Sequence, residues 1–111
     1  MNKKELLMSI LNTLSIPASF NNIPADTSLP CVVWQEENTQ TFARSNTHKI
    51  RRYMFVIIVY STDPIDIWEY EEALDKALLQ NGFIFEQANN TIYTEPVYSK
   101  VLRYSITTRE K

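Results

Sequence analysis

The sequence contains a single glycine, Gly82, in 111 residues. Phosphate-binding loops and dinucleotide-binding fingerprints need several glycines, because a backbone without Cβ atoms can approach a phosphate closely. Nucleotide binding through either motif is therefore excluded. Calcium loops of the EF-hand type are excluded as well, since both their ligand spacing and their turn glycine are missing.

Cysteine and histidine are equally scarce, with only Cys31 and His48. One cysteine excludes an intrachain disulfide and a cysteine-rich zinc site, and it fits a reducing compartment. Because Cys31 lies in an apolar stretch, we expect a small buried residue and not a reactive thiolate. His48 then has no obvious nucleophile that it could activate as a general base, and we expect it to be a surface or loop residue. We expect no enzymatic activity, no metal and no cofactor.

Long apolar runs and an excess of positive charge are also missing. The longest apolar run covers residues 53–60, far below the roughly 20 residues that span a bilayer. No signal peptide is visible, and we expect a soluble protein. The net charge of −2 argues against general coating of nucleic acid. A chain that is 44% hydrophobic and 22% charged is typical of one folded domain, here residues 1–111.

Two helices are predicted from caps and apolar periodicity. Asn2 can cap the first helix, with Glu5 reaching back to the cap backbone, and Pro17 ends it. Asp63 and Pro64 begin the second helix, which the pair 81–82 ends. The first apolar stripe consists of Leu6, Leu7, Ile10, Leu11 and Leu14. The second consists of Ile67, Tyr70, Leu74 and Leu78, widened by Trp68, Ala77 and Leu79. Acidic residues early in the second helix are interpreted as partners of the helix dipole and not as a metal site.

Strands are predicted around Phe20 and over residues 31–35, 49–61 and 97–108, and a hairpin over 83–95 with its turn at 88–90. Residues 36–48 form either a long mobile loop or the flaring tip of a hairpin. Residues 109–111 are expected to fray. This order predicts an α+β fold in which a mainly antiparallel sheet of four to five strands has two helices packed on one face.

The stretch KIRRYMFVIIVYSTD, residues 49–63, is apolar on both faces of the strand that it predicts. Tyr53, Phe55, Ile57 and Val59 alternate with a second set, which consists of Met54, Val56, Ile58 and Tyr60. Two helices of the predicted length cover roughly one face of such a sheet. The other face is therefore expected to lie in a subunit interface, for which we take the second set as candidates. Which of the two sets faces the helices is left open by the pattern.

A basic group with one aromatic residue surrounds the predicted loop. Its members are Phe42, Arg44, Lys49, Arg51 and Arg52. These residues are candidates for contact with a partner or with DNA in a channel lumen. The alternative is a cluster of solvated charges that protects the following apolar strand from aggregation.

The layout of the chain resembles the tail terminator and head-tail joining proteins of long-tailed bacteriophages and prophages. The segments that carry the resemblance are LPCVVWQEE, RRYMFVIIVYSTDP, DIWEYEEALDKALLQNGF and TEPVYSKVLRYSITT, in that order along nearly the whole chain. The resemblance implies a ring, typically of six subunits, that ends the tail tube and offers a docking surface to the head connector. It implies as partners the chain itself, the tail tube protein and the head connector protein, with DNA passing through the ring. It places the protein in the virion at the head-tail interface, after assembly in the host cytoplasm.

Two alternatives stay open. One is another phage role on the same fold, such as a head completion protein or a minor tail protein. The other is a dimeric ferredoxin-like regulatory or ligand-binding domain, although the convergent polar groups of a ligand pocket are scarce in this sequence.

Overall fold

The computed structural model of the chain describes residues 2–23, 28–44 and 49–110. Two helices and six strands follow one another as α1 (Lys3–Thr13), β1 (Ala18–Phe20), β2 (Cys31–Arg44), β3 (Lys49–Ser61), α2 (Pro64–Gln80), β4 (Ile84–Ala88), β5 (Ile92–Thr94) and β6 (Val97–Glu110). The expectation of an α+β fold is confirmed, with six strands where four to five were predicted.

Helix α1 begins and ends through local contacts. The side-chain oxygen of Asn2 accepts a hydrogen bond from the Glu5 N–H at 2.8 Å, as predicted. The Glu5 carboxylate bonds the side-chain amide of Asn2 at 3.1 Å, and not the cap backbone as expected. The helix ends at Thr13, ahead of Pro17, and Ser15 then adopts a positive φ of 57°.

Helix α2 has the predicted boundaries. The Asp63 carboxylate accepts a hydrogen bond from the Ile65 N–H at 2.9 Å, and Pro64 occupies the first turn, where a missing N–H costs nothing. Asn81 caps the other end, and Gly82 follows with φ 89°, a conformation that residues with a Cβ rarely adopt. Ser61 connects the helix to β3 by donating a hydrogen bond to Asp66 at 2.8 Å.

The six strands form one open sheet in the order β1-β2-β3-β6-β4, with β5 also paired to β6. Within the described residues, β1 and β2 run parallel and the other pairs are antiparallel. β3 lies at the centre and is paired along its whole length. Its register runs from Arg44 opposite Lys49 to Cys31 opposite Tyr60 on the β2 side.

The hydrophobic core fills the space between one face of the sheet and the two helices. Phe55, Ile57 and Val59 of β3 are fully buried in it. They pack in one cluster with the apolar stripes of α1 and α2, in which Leu7, Leu11, Ile67, Leu74 and Leu78 are also fully buried. Each such side chain contributes about 1.5–3 kcal/mol through burial, so this layer is the main source of stability. Both helices therefore lie on the face that carries the odd-numbered residues of β3.

Three strands extend past this core and give the molecule dimensions of 53 × 24 × 24 Å. The described core reaches Tyr53 on β3 and Ile106 on β6. Beyond it, residues 38–44, 49–52 and 107–110 continue as a three-stranded sheet, because β3 stays paired with both β2 and β6. We call this three-stranded extension the arm.

The structure differs from the sequence expectations in three segments. Residues 36–44 belong to β2 and form the side of a hairpin, so the loop interpretation does not hold there, and residues 45–48 lie outside the described residues. β4 and β5 each pair with β6, so residues 83–95 do not form the predicted hairpin. β6 continues to Glu110, past the point where fraying was expected.

Candidate interaction surfaces

The helix-free face of the sheet carries the four interface candidates of β3. Met54, Ile58 and Tyr60 are half-buried there. Val56 is only 4% exposed, and its register partners on the two neighbouring strands are Gln35 and Arg103. The expectation that the whole set is open to a partner is therefore wrong for Val56. The other three side chains form an apolar strip along the middle of the sheet.

Neighbouring strands extend the apolar strip at its Tyr60 end. Cys31 and Val33 of β2, opposite Tyr60 and Ile58, are 2% and 5% exposed. Burial raises the pKa of the Cys31 thiol and of the Tyr60 hydroxyl, so both stay neutral at pH 7. The strip then continues into an open groove of about 340 Å³, whose apolar lining includes Ile23, Leu29, Pro96 and Val97.

Ion pairs cross the same face nearer the arm. Arg103 of β6 meets Glu37 of β2 at 3.2 Å and donates to the Asn89 side chain at 3.3 Å. Arg52 pairs with Glu86 of β4, which also accepts a hydrogen bond from Ser105 at 2.6 Å. The Ser105 and Arg52 hydrogen bonds hold the pKa of the Glu86 carboxyl below its usual range. These pairs border the apolar strip with polar groups that are already satisfied.

The basic candidates do not form one patch. Arg52 lies on the helix-free face. Arg51, the preceding residue of β3, lies on the helix side and lines a groove beside the start of α1 with Tyr53 and Glu36. Phe42 and Arg44 belong to β2, and Lys49 begins β3 as the register partner of Arg44. His48 lies outside the described residues. Arg44 and Lys49 therefore mark the end of the arm, and Arg52 is already engaged within the chain.

A second surface lies on the helix side of the sheet, between α2 and β4. It is an open groove of about 400 Å³ lined by Trp68, Glu71, Glu72, Asp75, Leu79, Phe85 and Tyr104. Trp68, Leu79 and Phe85 are 64%, 49% and 46% exposed. We call it the α2–β4 groove. Trp34 lies in the core, whereas Trp68, which the sequence assigned to the apolar stripe of α2, does not belong to the core of the single chain.

Two of the carboxylates in the α2–β4 groove are held by partners on β6. The Tyr104 hydroxyl donates to Asp75 at 2.6 Å, and Lys100 pairs with Glu71 at 2.8 Å. Burial, and then the hydrogen bond to Asp75, raises the pKa of Tyr104. Glu72 is exposed and has no ion-pair partner within the described part of the chain.

Sequence reasoning missed the α2–β4 groove because it assigned Trp68 and Leu79 to the apolar stripe of α2. A signal was available in the helical periodicity. At 100° per residue, Trp68, Asp75 and Leu79 fall within about 40° of one another, on a side of the helix away from Leu74. Apolar residues that share a helix side with carboxylates indicate a surface, and not a core stripe.

Residues 2–23, 28–44 and 49–110 contain no group of three or more His, Cys, Asp or Glu side chains placed to bind a metal ion. None of the helices in the described chain is long and apolar enough to span a membrane. Comparison with known proteins found no matching family model and no significant match to a curated protein.

Proposed function

We propose that the protein is a non-enzymatic structural subunit that assembles with copies of itself through the helix-free face of its sheet. The observation that carries this proposal is the apolar strip of Met54, Ile58 and Tyr60. It is half-buried at the centre of a sheet whose opposite face already has a complete core, and no described helix covers it. Apolar surface at the middle of a sheet is a typical site of protein association.

The assembly that we propose is a ring. A neighbour that covers the strip and the groove that continues it with a different part of its own surface makes a heterologous contact. Repeated heterologous contacts close into a ring or continue as a filament. The α+β layout agrees with the phage tail terminator resemblance, which favours the closed ring, typically of six subunits.

Within that proposal, the ring lies at the head-tail interface of the virion. It ends polymerisation of the tail tube protein on one side and docks the head connector protein on the other, with DNA passing through. The support for these partners is the resemblance of the sequence, and the support for self-assembly is the half-buried apolar strip that no described helix covers.

The test is to change the strip without changing the core. We expect the wild-type chain to run as a ring-sized oligomer in light scattering after gel filtration, with rings visible by electron microscopy. Ile58→Asp places a charge in the contact and should yield a folded monomer. Ile65→Asp, the same change at an α2 residue that is 54% exposed, is the matched control and should keep the oligomer.

The phage role has its own measurement. Wild-type protein added to polymerising tail tubes should stop their growth and appear as a terminal ring, and Ile58→Asp should leave tube length unlimited. A stable dimer that binds a metabolite would contradict the proposal, as would an Ile58→Asp variant that keeps the wild-type mass.

A further inference from the structure

We infer that the α2–β4 groove of one copy packs against the apolar strip of the next. The inference rests on the proposed self-assembly and deepens it, because it names the second surface of the contact. The groove exposes Trp68, Leu79 and Phe85. With aromatic side chains of about 150–250 Å², their exposed parts add up to roughly 350 Å² of apolar surface. One partner of a standard interface buries roughly 450 Å² of apolar surface, so the groove supplies most of what a stable contact needs.

The carboxylates of the groove favour an apolar occupant over a cation. Glu71 is already paired with Lys100, and Asp75 already accepts a hydrogen bond from Tyr104. Glu72 is exposed and stays hydrated at the rim. Burial of the apolar part of the groove therefore leaves no unpaired charge at its centre.

The groove and the strip lie on opposite sides of one sheet. Phe85 is the register partner of Tyr104 on the helix side, whereas Met54, Ile58 and Tyr60 lie on the helix-free face. Because the sheet separates the two surfaces, a groove can cover only the strip of another copy. The two surfaces differ, so the contact is heterologous and can repeat from copy to copy.

Helix α2 runs antiparallel to β3 across its own sheet. Glu71 pairs with the register partner of Val59. One turn later, Asp75 accepts a hydrogen bond from the register partner of Phe55. These two contacts fix the level of each α2 residue along the direction of the strands.

The groove and the strip match in level and in length. In a ring whose axis runs along the strands, a neighbouring copy keeps the same levels. With a rise of about 1.5 Å per helical residue and about 3.3 Å per strand residue, the neighbour's Trp68 reaches the level of Tyr60 and its Leu79 the level of Met54. Tyr60 also lines the open groove of about 340 Å³ that continues the strip. Trp68 therefore meets an apolar recess, as the aromatic anchors of interfaces do.

The side of α2 that carries the groove is turned toward β4. At 100° per residue, Trp68 lies about 100° round the helix from the middle of the buried stripe of Ile67, Leu74 and Leu78. The neighbour's sheet then approaches obliquely over the β4 edge, and repeated oblique contacts curve an assembly as ring closure requires. Ile65 lies about 160° from that stripe and outside the groove, so it takes no part in the contact.

Cross-linking tests the contact and its direction. In a Cys31→Ala background, Leu79→Cys and Met54→Cys are combined in one chain and treated with a short bifunctional maleimide. The two thiols lie on opposite sides of the sheet, so each link joins two chains, and a ladder of dimers, trimers and larger species should appear in denaturing electrophoresis. The control combines Leu79→Cys with Ser99→Cys. Ser99 is the register partner of Tyr60, about 20 Å from the level of Met54, and should give no ladder.

A second measurement uses the aromatic anchor. Trp68→Ala should weaken assembly about tenfold, and Ile65→Ala, the matched truncation outside the groove, should assemble as wild type. Analytical ultracentrifugation across a concentration series measures assembly. Circular dichroism checks that each variant folds, as expected for side chains that are exposed in the single chain.

The outcomes separate this inference from the proposed function. An assembled chain that gives no ladder, a ladder that stops at dimers, or wild-type assembly of Trp68→Ala overturns the groove contact. If Ile58→Asp abolishes assembly in the first or third case, the proposed function still stands. A wild-type chain that stays monomeric at every concentration overturns both.

Discussion

Ile57 and Ile58 are adjacent residues of β3, yet they lie in different surroundings. Ile57 is fully buried between the sheet and the helices, while Ile58 is half-buried on the helix-free face. The two side chains are identical and share one strand, so the difference comes only from what covers each face. The apolar run of this central strand therefore serves stability on one face, and association is the role that we propose for the other.

The largest effect should come from testing these two residues side by side. Ile57→Ala removes core contacts and should lower the free energy of unfolding by about 2–5 kcal/mol. Ile58→Ala should cost the dissociated chain less than about 1.5 kcal/mol, because less of its side chain leaves water on folding. Urea unfolding of both variants, at a protein concentration where the chain is monomeric, measures the two costs.

Equal losses in the free energy of unfolding of Ile57→Ala and Ile58→Ala would contradict this prediction, since they would mean that Ile58 is as important for the fold as Ile57. The control is Ile65→Ala, which is largely exposed and should change stability by less than about 0.5 kcal/mol.

The sequence predicted β3 and both helices well because local signals agree there. Asp63, Pro64 and Gly82 each favour a helix boundary for a separate physical reason, and α2 begins and ends where they indicate. The alternation of β3 defined two apolar sets. It could not assign them to faces, because the helices contact them through side chains that are remote in sequence.

Sequence reasoning failed where long-range pairing outweighs local preference. Residues 36–40 read EENTQ, which has low strand propensity, yet they pair with the strongly strand-forming β3. Likewise, Asn89 and Asn90 favour a tight turn, but β6 is long enough to pair with both β4 and β5. The α2–β4 groove depends on these pairings, since Phe85 reaches α2 only because β4 pairs with β6 at Tyr104.

A smaller effect on stability is expected from the polar contacts of the two faces. On the helix side, Tyr104→Phe removes the hydrogen bond to Asp75 and should cost about 1–2 kcal/mol at pH 7. The pKa of Tyr104 is raised in the folded chain, so its contribution is complete below the ordinary tyrosine pKa of about 10 and is lost as pH rises above that value. The stability difference between wild type and variant should therefore shrink in alkali.

Thermal unfolding from pH 7 to 11 measures that convergence. Tyr93→Phe removes an exposed hydroxyl on β5 and serves as the control, with the wild-type profile expected. A constant difference across the range would show that the hydroxyl of Tyr104 does not carry the effect.

The smallest effect lies on the helix-free face, where Glu86 accepts hydrogen bonds from Ser105 and Arg52. Glu86→Gln should cost less than about 1 kcal/mol at pH 7, because the pair is partly exposed and screened by water. Because the pKa of Glu86 is lowered in the folded chain, its contribution to stability depends on pH in the opposite direction to that of Tyr104. The contribution is complete above the ordinary glutamate pKa of about 4.3 and is lost as pH falls below it. Unfolding measured from pH 7 to 3 should show wild type and variant converging in acid, while Glu69→Gln stays parallel to wild type. Because 1 M salt weakens a solvated ion pair more than a part-buried hydrogen bond, it should reduce the Glu86 effect more than the Tyr104 effect.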